Sequence, residues 1–341
     1  MLKSDNLHLR QIRQRSKSVK RTVTKIVMLL MPLACTATAH AQGQSYPSRP
    51  VQIVVGFPPG GGADINARLL APKLRELLGQ SIVVVNRPGG GSNIANEYVA
   101  KATPDGYTLL VTPATVTINM SLYQKLNYDT LRDLAGVSIM CSTPLVMVVG
   151  SAIPAKNVQE LIALAQSKPG SLNFSSAGSG TVSHLTGELF RTVTKTRLTH
   201  IPFQGSGPSM TSLLGGEVQL SFPNIAAVIQ HVRSGRLRAL ASTGPTRADS
   251  LPEVATMKES GVDIKMDIWY GVMVPFATPR AIIDKLAQTV AKAVHATDIK
   301  KKFIDQGAQP VGNTPREFGK QLQEEVALWA QIVKASGAKA D

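Results

Sequence analysis

Two glycine-rich turns carry the residues with the clearest chemical potential in this chain. The first, Gly56-Phe57-Pro58-Pro59-Gly60-Gly61-Gly62, follows the β-branched run Val51–Val55 and precedes a segment with helical spacing of leucines. The second, residues 175–181, joins a predicted strand to a helix predicted from Ser183. A strand that enters a helix through such a turn leaves backbone N–H groups unpaired beside the positive end of the helix dipole. Both turns therefore predict anion binding by main-chain donors.

The remaining sequence alternates strand and helix patterns almost to its end. Short β-branched runs are followed by longer segments of helical periodicity, which indicates an α/β fold with mostly parallel sheets flanked by helices. The two turns are far enough apart to belong to separate domains. Ligands of open parallel sheets bind beyond the carboxyl ends of the strands, so turns that face each other across a cleft predict a site for a small anion. Strands predicted over residues 145–149 and 268–274 are expected to cross between the domains.

Several other turns follow predicted strands and are candidates for the same cleft. Ala114 and Thr115 come directly after one predicted strand end. Residues 203–208 form a turn into a helix, and Asn224 follows a further predicted strand. For each of these turns alone, a plain loop is the simpler interpretation.

Three polar or aromatic side chains near these turns have two open roles each. Asp64 lies in the first turn of a predicted helix, where a carboxylate commonly caps unpaired N–H groups. Alternatively, Asp64 accepts a hydrogen bond from a ligand. Trp269 and Tyr270 lie where a strand is expected to cross between the domains, and they predict either hinge packing or a stacking wall for an aromatic ligand.

Motifs for nucleotides and metals are missing from the sequence. A P-loop needs Lys-Ser or Lys-Thr after its second glycine, and the Rossmann spacing of glycines does not occur either. The six histidines are dispersed, with no H-x-x-x-H pair and no pair of cysteines that could join them in a metal site. We therefore expect no cofactor and no metal.

The net charge of +15 is concentrated at the N-terminus. Residues 1–41 contain eight Lys or Arg and one acidic residue, and they end in a short apolar run followed by Ala39-His40-Ala41. This pattern predicts a secretory signal peptide that is cleaved after Ala41, and therefore a periplasmic protein. Lipidation of Cys35 is the alternative. Outside this leader the basic residues are scattered, so no nucleic-acid binding is expected, and a single cysteine, Cys141, excludes an intramolecular disulfide.

Several longer motifs resemble one family over essentially the whole chain after Tyr46. They are YPSRPVQIVVGFPPGGGAD, VVNRPGGGSNIANEYVAKATPDGYTLL, LNFSSAGSGTVSHLTGELF, HIPFQGSGPSMTSLLGGEVQL and WYGVMVPFATPRAIIDKL. Their combination and order are similar to those of the Bug family, the extracytoplasmic solute receptors of tripartite tricarboxylate transporters.

The resemblance implies a fold, a ligand class and a partner. The fold would be of the type II periplasmic-binding-protein kind, with residues 46–145 and 269–341 in one domain, residues 146–268 in the other, and the ligand cleft between them. The ligand would be a small di- or tricarboxylate or an aromatic carboxylate, held largely by backbone amides. The receptor would be a monomer that delivers the ligand to membrane permease subunits.

The resemblance also implies which residues contact the ligand. Together with Ala114 and Thr115 from the sequence itself, the expected binding residues are Phe57, Pro58, Gly61, Ala63, Asp64, Ser176, Gly178, Gly180, Thr181, Ser183, Phe203, Gly205, Ser206 and Asn224. The chain departs from the family pattern at Phe203-Gln204, where Tyr-Lys is common, and at Pro223, where Asp is common. These departures leave the identity of the carboxylate open.

Two other functions are compatible with the sequence. A receptor that senses its ligand for a signalling system would share the fold and the site. A serine hydrolase would use Ser183 and His184 or a nearby serine, but the G-x-S-x-G elbow is missing and no acidic partner can be assigned. We therefore expect a binding protein and no enzyme.

Overall fold

The computed structural model describes residues 46–340. The predicted signal peptide, its cleavage site after Ala41 and Cys35 lie outside the described residues. From Arg49 onward the chain forms one compact unit. Within residues 46–340, no helix combines the length and the apolar character that a membrane span requires.

Eleven strands in the described part of the chain form two sheets. The first sheet has the order β11-β4-β10-β3-β1-β2, and the second has the order β7-β6-β8-β5-β9. The strands are β1 (Val51–Val55), β2 (Ile82–Asn86), β3 (Thr108–Pro113), β4 (Leu134–Pro144), β5 (Val146–Gly150), β6 (Leu172–Ser176), β7 (Leu198–Pro202), β8 (Leu220–Ser221), β9 (Leu237–Ser242), β10 (Asp267–Pro275) and β11 (Gln309–Pro310).

Helices follow most of these strands. Over residues 46–340 they are α1 (Gly62–Leu78), α2 (Asn93–Ala100), α3 (Thr115–Leu122), α4 (Thr130–Asp133), α5 (Val158–Ser167), α6 (Val182–Thr194), α7 (Ser206–Gly215), α8 (Ile225–Arg233), α9 (Arg280–His295), α10 (Thr297–Asp305) and α11 (Pro315–Ser336). Pro279 precedes α9, and Ile283, Leu286 and Val290 form a buried apolar stripe on this helix.

The sheets are mixed, which corrects the expectation of mostly parallel sheets within an α/β fold that is otherwise confirmed. Strand β1 is parallel to β2 and β3, and β6 is parallel to β7 and β8. Strand β10 is antiparallel to β3 and β4, while β5 is antiparallel to β8 and β9. The reason is the path of the chain, because β4 continues through Leu145 into β5 of the second sheet and β10 returns to the first sheet beside Pro144. Strands β5 and β10, which correspond to the two predicted crossing strands, are therefore antiparallel to their neighbours in the sheets.

Candidate functional site

A cavity lies where strands of both sheets end and helices begin. Strands β1, β3, β6, β7 and β8 each lead through a short connection into α1, α3, α6, α7 and α8, and residues at all five of these strand–helix junctions line the cavity. The space between the lining atoms, open solvent included, is about 640 Å³. We call this space the inner cavity. Its lining residues are Phe57, Pro58, Pro59, Gly61, Gly62, Ala63, Pro113, Thr115, Leu145, Ala177, Thr181, Val182, Ser183, Gly205, Ser206, Gly207, Pro208, Phe222, Pro223, Asn224, Ile268 and Tyr270.

The helix starts at the inner cavity supply hydrogen-bond donors. The first N–H groups of any α-helix have no acceptor within the helix. Helices α1, α3 and α7 have no side-chain cap on these groups, whereas Thr181 caps α6 and Asn224 caps α8. Each helix also directs the positive end of its dipole to its N-terminus, so this convergence favours an anion.

No lysine, arginine, histidine, aspartate or glutamate is among the residues that line the inner cavity. Most of the lining is apolar, and the aromatic rings of Phe57, Phe222 and Tyr270 belong to it. Polar side chains are few and neutral, such as Thr115 and Ser183. The lining therefore offers an anion main-chain and neutral side-chain donors, and no lining side chain is charged at neutral pH.

Ten of the residues expected to bind the ligand line the inner cavity, and six do not. Those that line it are Phe57, Pro58, Gly61, Ala63, Thr115, Thr181, Ser183, Gly205, Ser206 and Asn224. Those that do not line it are Asp64, Ala114, Ser176, Gly178, Gly180 and Phe203. Their contacts explain the difference.

Asp64 holds the first glycine turn together and does not line the cavity. Its carboxylate accepts hydrogen bonds at 2.9 Å each from Gly60 N, Arg68 Nε and Asn86 Nδ2. Burial alone would raise the pKa of Asp64, but the hydrogen bonds from Gly60, Asn86 and Arg68 outweigh it and lower the pKa. Asp64 is therefore ionised and engaged with Gly60, Arg68 and Asn86, and it does not cap the N–H groups of helix α1 as the sequence predicted.

The second turn presents its C-terminal half to the inner cavity. Ser176 is buried, and its Oγ lies 2.7 Å from Nε2 of His200. Gly180 N donates to Nδ1 of His184 at 3.0 Å. Gly180 therefore serves the backbone path of the turn, with a φ of 77°, and the ligand-facing residues are Thr181 and Ser183. Ala114 is also buried, as the N-cap residue that directly precedes α3.

Gly178 and Phe203 line a second space, which we call the outer cavity. It is also lined by residues 88–92, a further glycine-rich turn that precedes α2, and by Tyr123 and Gln204. The two cavities share Phe57, Pro58, Ala177 and Gly205 in their walls. The departure at Phe203-Gln204 therefore changes the outer cavity and leaves the inner one as it is.

Several residues of the inner cavity were missed by the sequence analysis. Leu145 and Ile268 come from the segments that cross between the sheets, and Pro113 and Phe222 lie at or just beyond strand ends. Tyr270, which was expected either in hinge packing or as a stacking wall, also lines the cavity. For Phe222 the available signal was its position at the end of a predicted strand, next to Pro223 and Asn224. No local pattern distinguishes a crossing strand that faces a cavity from one that is simply buried.

Ser183 and His184 are not paired as the nucleophile and base of a hydrolase. Ser183 Oγ accepts from Ala177 N at 3.3 Å and lies 3.0 Å from Thr181 Oγ1. His184 Nδ1 is occupied by Gly180 N, and its Nε2 lies 3.9 Å from Oε1 of Glu188. Ser183 and His184 are thus neighbours in sequence whose side chains have different partners, so the nucleophile and base of a triad are not formed here.

The imidazole of His200 predicts how stability depends on pH. Burial, with smaller contributions from His184 and Arg191, lowers the pKa of His200 to about 3 from an ordinary value of 6.5. Its ring stacks on that of His184 with centroids 3.8 Å apart. Between pH 6.5 and 3 the unfolded chain therefore binds a proton at this position that the folded chain does not, and stability falls as pH falls, by at most about 1.4 kcal/mol per pH unit.

The measurement is the urea midpoint of the mature protein and of His200→Asn from pH 7 to pH 4.5. We expect the stability gap between the two proteins to narrow steadily below pH 6.5, since only the native chain has this histidine. Buried carboxyls such as Glu188 and Glu325 have raised pKa values, chiefly from burial, and act in both proteins alike. A gap that is constant with pH would contradict the assignment to His200.

Comparison with known sequences identifies one family over most of the chain. Residues 66–338 match the family described as the tripartite tricarboxylate transporter family receptor. The protein BugT of Bordetella pertussis is 37% identical over 322 residues, which cover 93% of this chain and 99% of the relative. A protein of Pseudomonas sp. strain P51, described as the UPF0065 protein in the tcbD-tcbE intergenic region, is 31% identical over 307 residues, with coverages of 89% and 91%.

Solved structures of the same kind are similar to this chain. The structure of R. palustris Rpa4515 with adipate has a TM-score of 0.84 at 33% identity, and it covers 87% of this chain and 100% of its own. The periplasmic binding protein BugD has a TM-score of 0.82 at 31% identity with the same coverages. MatC from Rhodopseudomonas palustris with bound malate has a TM-score of 0.80 at 30% identity, with coverages of 84% and 100%. The resemblance to the Bug family is confirmed, and the chain belongs to the tripartite tricarboxylate transporter receptor family.

Proposed function

We propose that this protein captures a small carboxylate in the inner cavity for uptake through a tripartite tricarboxylate transporter. The observation that carries the proposal is the convergence of five helix starts on a cavity without ionised side chains. A carboxylate placed there would receive main-chain N–H groups from both sheets' turns and favourable dipoles from several helices. The adipate and malate in the structures of two relatives support a carboxylate as the ligand class.

Capture would involve closure of two domains around the ligand. The turn after β1 and the turn after β7 already touch, because a Cβ built on Gly205 would stand 3.3 Å from Cγ and Cδ of Pro58. An open form in which the two turns separate would widen the entrance to the cavity for the ligand. The closed form would then dock on the membrane permease as a monomeric receptor in the periplasm.

A thermal-shift screen of the mature protein tests the proposal. The panel contains adipate, malate, citrate and benzoate at pH 7, each with its primary amide as a neutral control. A carboxylate at one hundred times its dissociation constant should stabilise the fold by about 2.7 kcal/mol, which is a readily measured rise in Tm. The amides should give no rise, since the dipoles favour negative charge. A panel in which no carboxylate shifts the Tm would contradict the proposal.

A further inference from the structure

The Tyr270 hydroxyl can both accept and donate hydrogen bonds, and its identified partner in the described chain accounts for the accepting bond. Its side chain lies at the wall of the inner cavity on the crossing strand β10, and the residue is 3% exposed. Asn224 Nδ2 lies 3.1 Å from the Tyr270 hydroxyl oxygen. Within residues 46–340, Asn224 is the recorded hydrogen-bond partner of this hydroxyl.

The direction of the Asn224–Tyr270 bond is fixed by the other end of the amide. Asn224 Oδ1 accepts from Ala227 N at 2.9 Å, as the cap of helix α8. The nitrogen of the amide therefore faces Tyr270, and an amide nitrogen can only donate. It follows that the Tyr270 oxygen is the acceptor in this bond and that its own proton must be directed elsewhere.

The Tyr270 hydroxyl lies directly beside the start of helix α1. A Cβ built on Gly62 would stand 2.0 Å from the Tyr270 hydroxyl oxygen and 2.7 Å from Asn224 Nδ2. Gly62 and Ala63 are the first two residues of α1, whose N-terminus has no side-chain cap. One O–H donor and the main-chain donors of α1 are thus gathered at one corner of the inner cavity.

We propose that Tyr270 is a ligand-binding residue whose hydroxyl donates to the same carboxylate that the start of α1 binds. This inference rests on the proposed function and adds a side-chain donor to the main-chain ones. Burial strongly raises the pKa of Tyr270, so the hydroxyl keeps its proton at neutral pH. Asn224 acts as the positioning residue, because it fills the acceptor side of the hydroxyl and leaves its proton for the ligand.

Replacing Tyr270 by phenylalanine tests the inference while keeping the ring. Binding is measured by calorimetry with adipate, malate, citrate and benzoate on native protein and Tyr270→Phe. We expect the affinity for each carboxylate that binds to fall about ten- to one-hundred-fold, the range of a hydrogen bond to a charged group. Tyr128→Phe is the matched control, because Tyr128 is also buried and bonded to Asn93 and Asn96 but does not line the inner cavity.

A second readout follows the hydroxyl itself. In protein labelled with ¹³C at the tyrosine ζ carbon, the Tyr270 signal is assigned by its loss in Tyr270→Phe, and it should move when the bound carboxylate is added. Equal affinities of native protein and Tyr270→Phe, or a Tyr270 signal that does not move, would overturn the inference alone. If none of the four carboxylates binds the native protein, the proposed function and the inference both fail.

Discussion

Replacing Ser183 by aspartate is expected to leave the fold intact and to abolish carboxylate binding. Ser183 is the second residue of α6 and lines the inner cavity. A carboxylate in the first turn of a helix is favourable for the dipole, and it can accept from Ala177 N as the serine oxygen does. In the cavity, however, it would stand near the bound carboxylate. Two like charges about 4 Å apart repel by about 4 kcal/mol at an effective dielectric constant of 20, or about a thousand-fold in affinity.

Two variants separate the charge from other effects of Ser183→Asp. Asparagine has nearly the same volume as aspartate but carries no charge, so Ser183→Asn should retain most of the affinity. Ala281→Asp introduces the same charge at the second position of α9, at an exposed residue outside the inner cavity, and should change neither affinity nor Tm appreciably. Calorimetry with the carboxylates of the screen measures the affinities. Binding by Ser183→Asp within ten-fold of the native value would place the ligand elsewhere.

Gly62→Ala is expected to disturb both the fold and the site. The added Cβ would stand 2.0 Å from the Tyr270 hydroxyl oxygen and 2.7 Å from Asn224 Nδ2, far inside normal contact distances. Because Tyr270 is fully buried, its ring has little room to move, and overpacking of this kind costs about 1–3 kcal/mol. The shift of α1 against β10 would also separate the donors that the carboxylate needs, so we expect affinity to fall by more than one hundred-fold.

The neighbouring glycine supplies the control for Gly62→Ala. At Gly61 the nearest atom to an added Cβ is the Pro58 carbonyl oxygen at 3.6 Å, an ordinary contact, and the φ of −79° suits alanine. Gly61→Ala should therefore keep the Tm within about 2 °C of the native value, because the added methyl group meets no close contact. Combining Gly62→Ala with Tyr270→Phe should recover part of the lost Tm, since the atom at 2.0 Å is removed. A native-like Tm and affinity for Gly62→Ala alone would show that the Gly62–Tyr270 contact is not required.

The two turns with unpaired main-chain donors at helix starts could be predicted because their signals are local. The strand, the glycines and the helix that follow one another from Val51 to Leu78 are adjacent in sequence, and backbone geometry alone makes the helix start a donor site. The same reasoning predicted Thr181 and Ser183 at the start of α6. It could not determine which half of the second turn faces the ligand. Gly178 is hydrogen-bonded to Ser176 and Thr181 within the turn, and Gly180 N donates to His184 of α6, contacts that the residue pattern does not reveal.

The fold class was also predictable, while the strand directions were not. Alternating strand and helix periodicities predict an α/β fold wherever the apolar faces are strong, as in β1 and α9. A strand has the same residue pattern whether its neighbour runs parallel or antiparallel to it. The antiparallel placement of β5 and β10 depends on the two crossings between the sheets. Leu145 and Tyr270 line the cavity because the segments that cross between the sheets run along its wall.

By itself the sequence determined the chemistry of the site, because uncapped helix starts and glycine turns are set by residues that adjoin one another. Only the tertiary structure decided which of these turns meet, which side chains complete them, and that no ionised group of the described chain lies among them. The physical reason is that a hydrogen-bond donor is a property of a few neighbouring residues. A cavity exists only where segments far apart in the chain are packed around the same space.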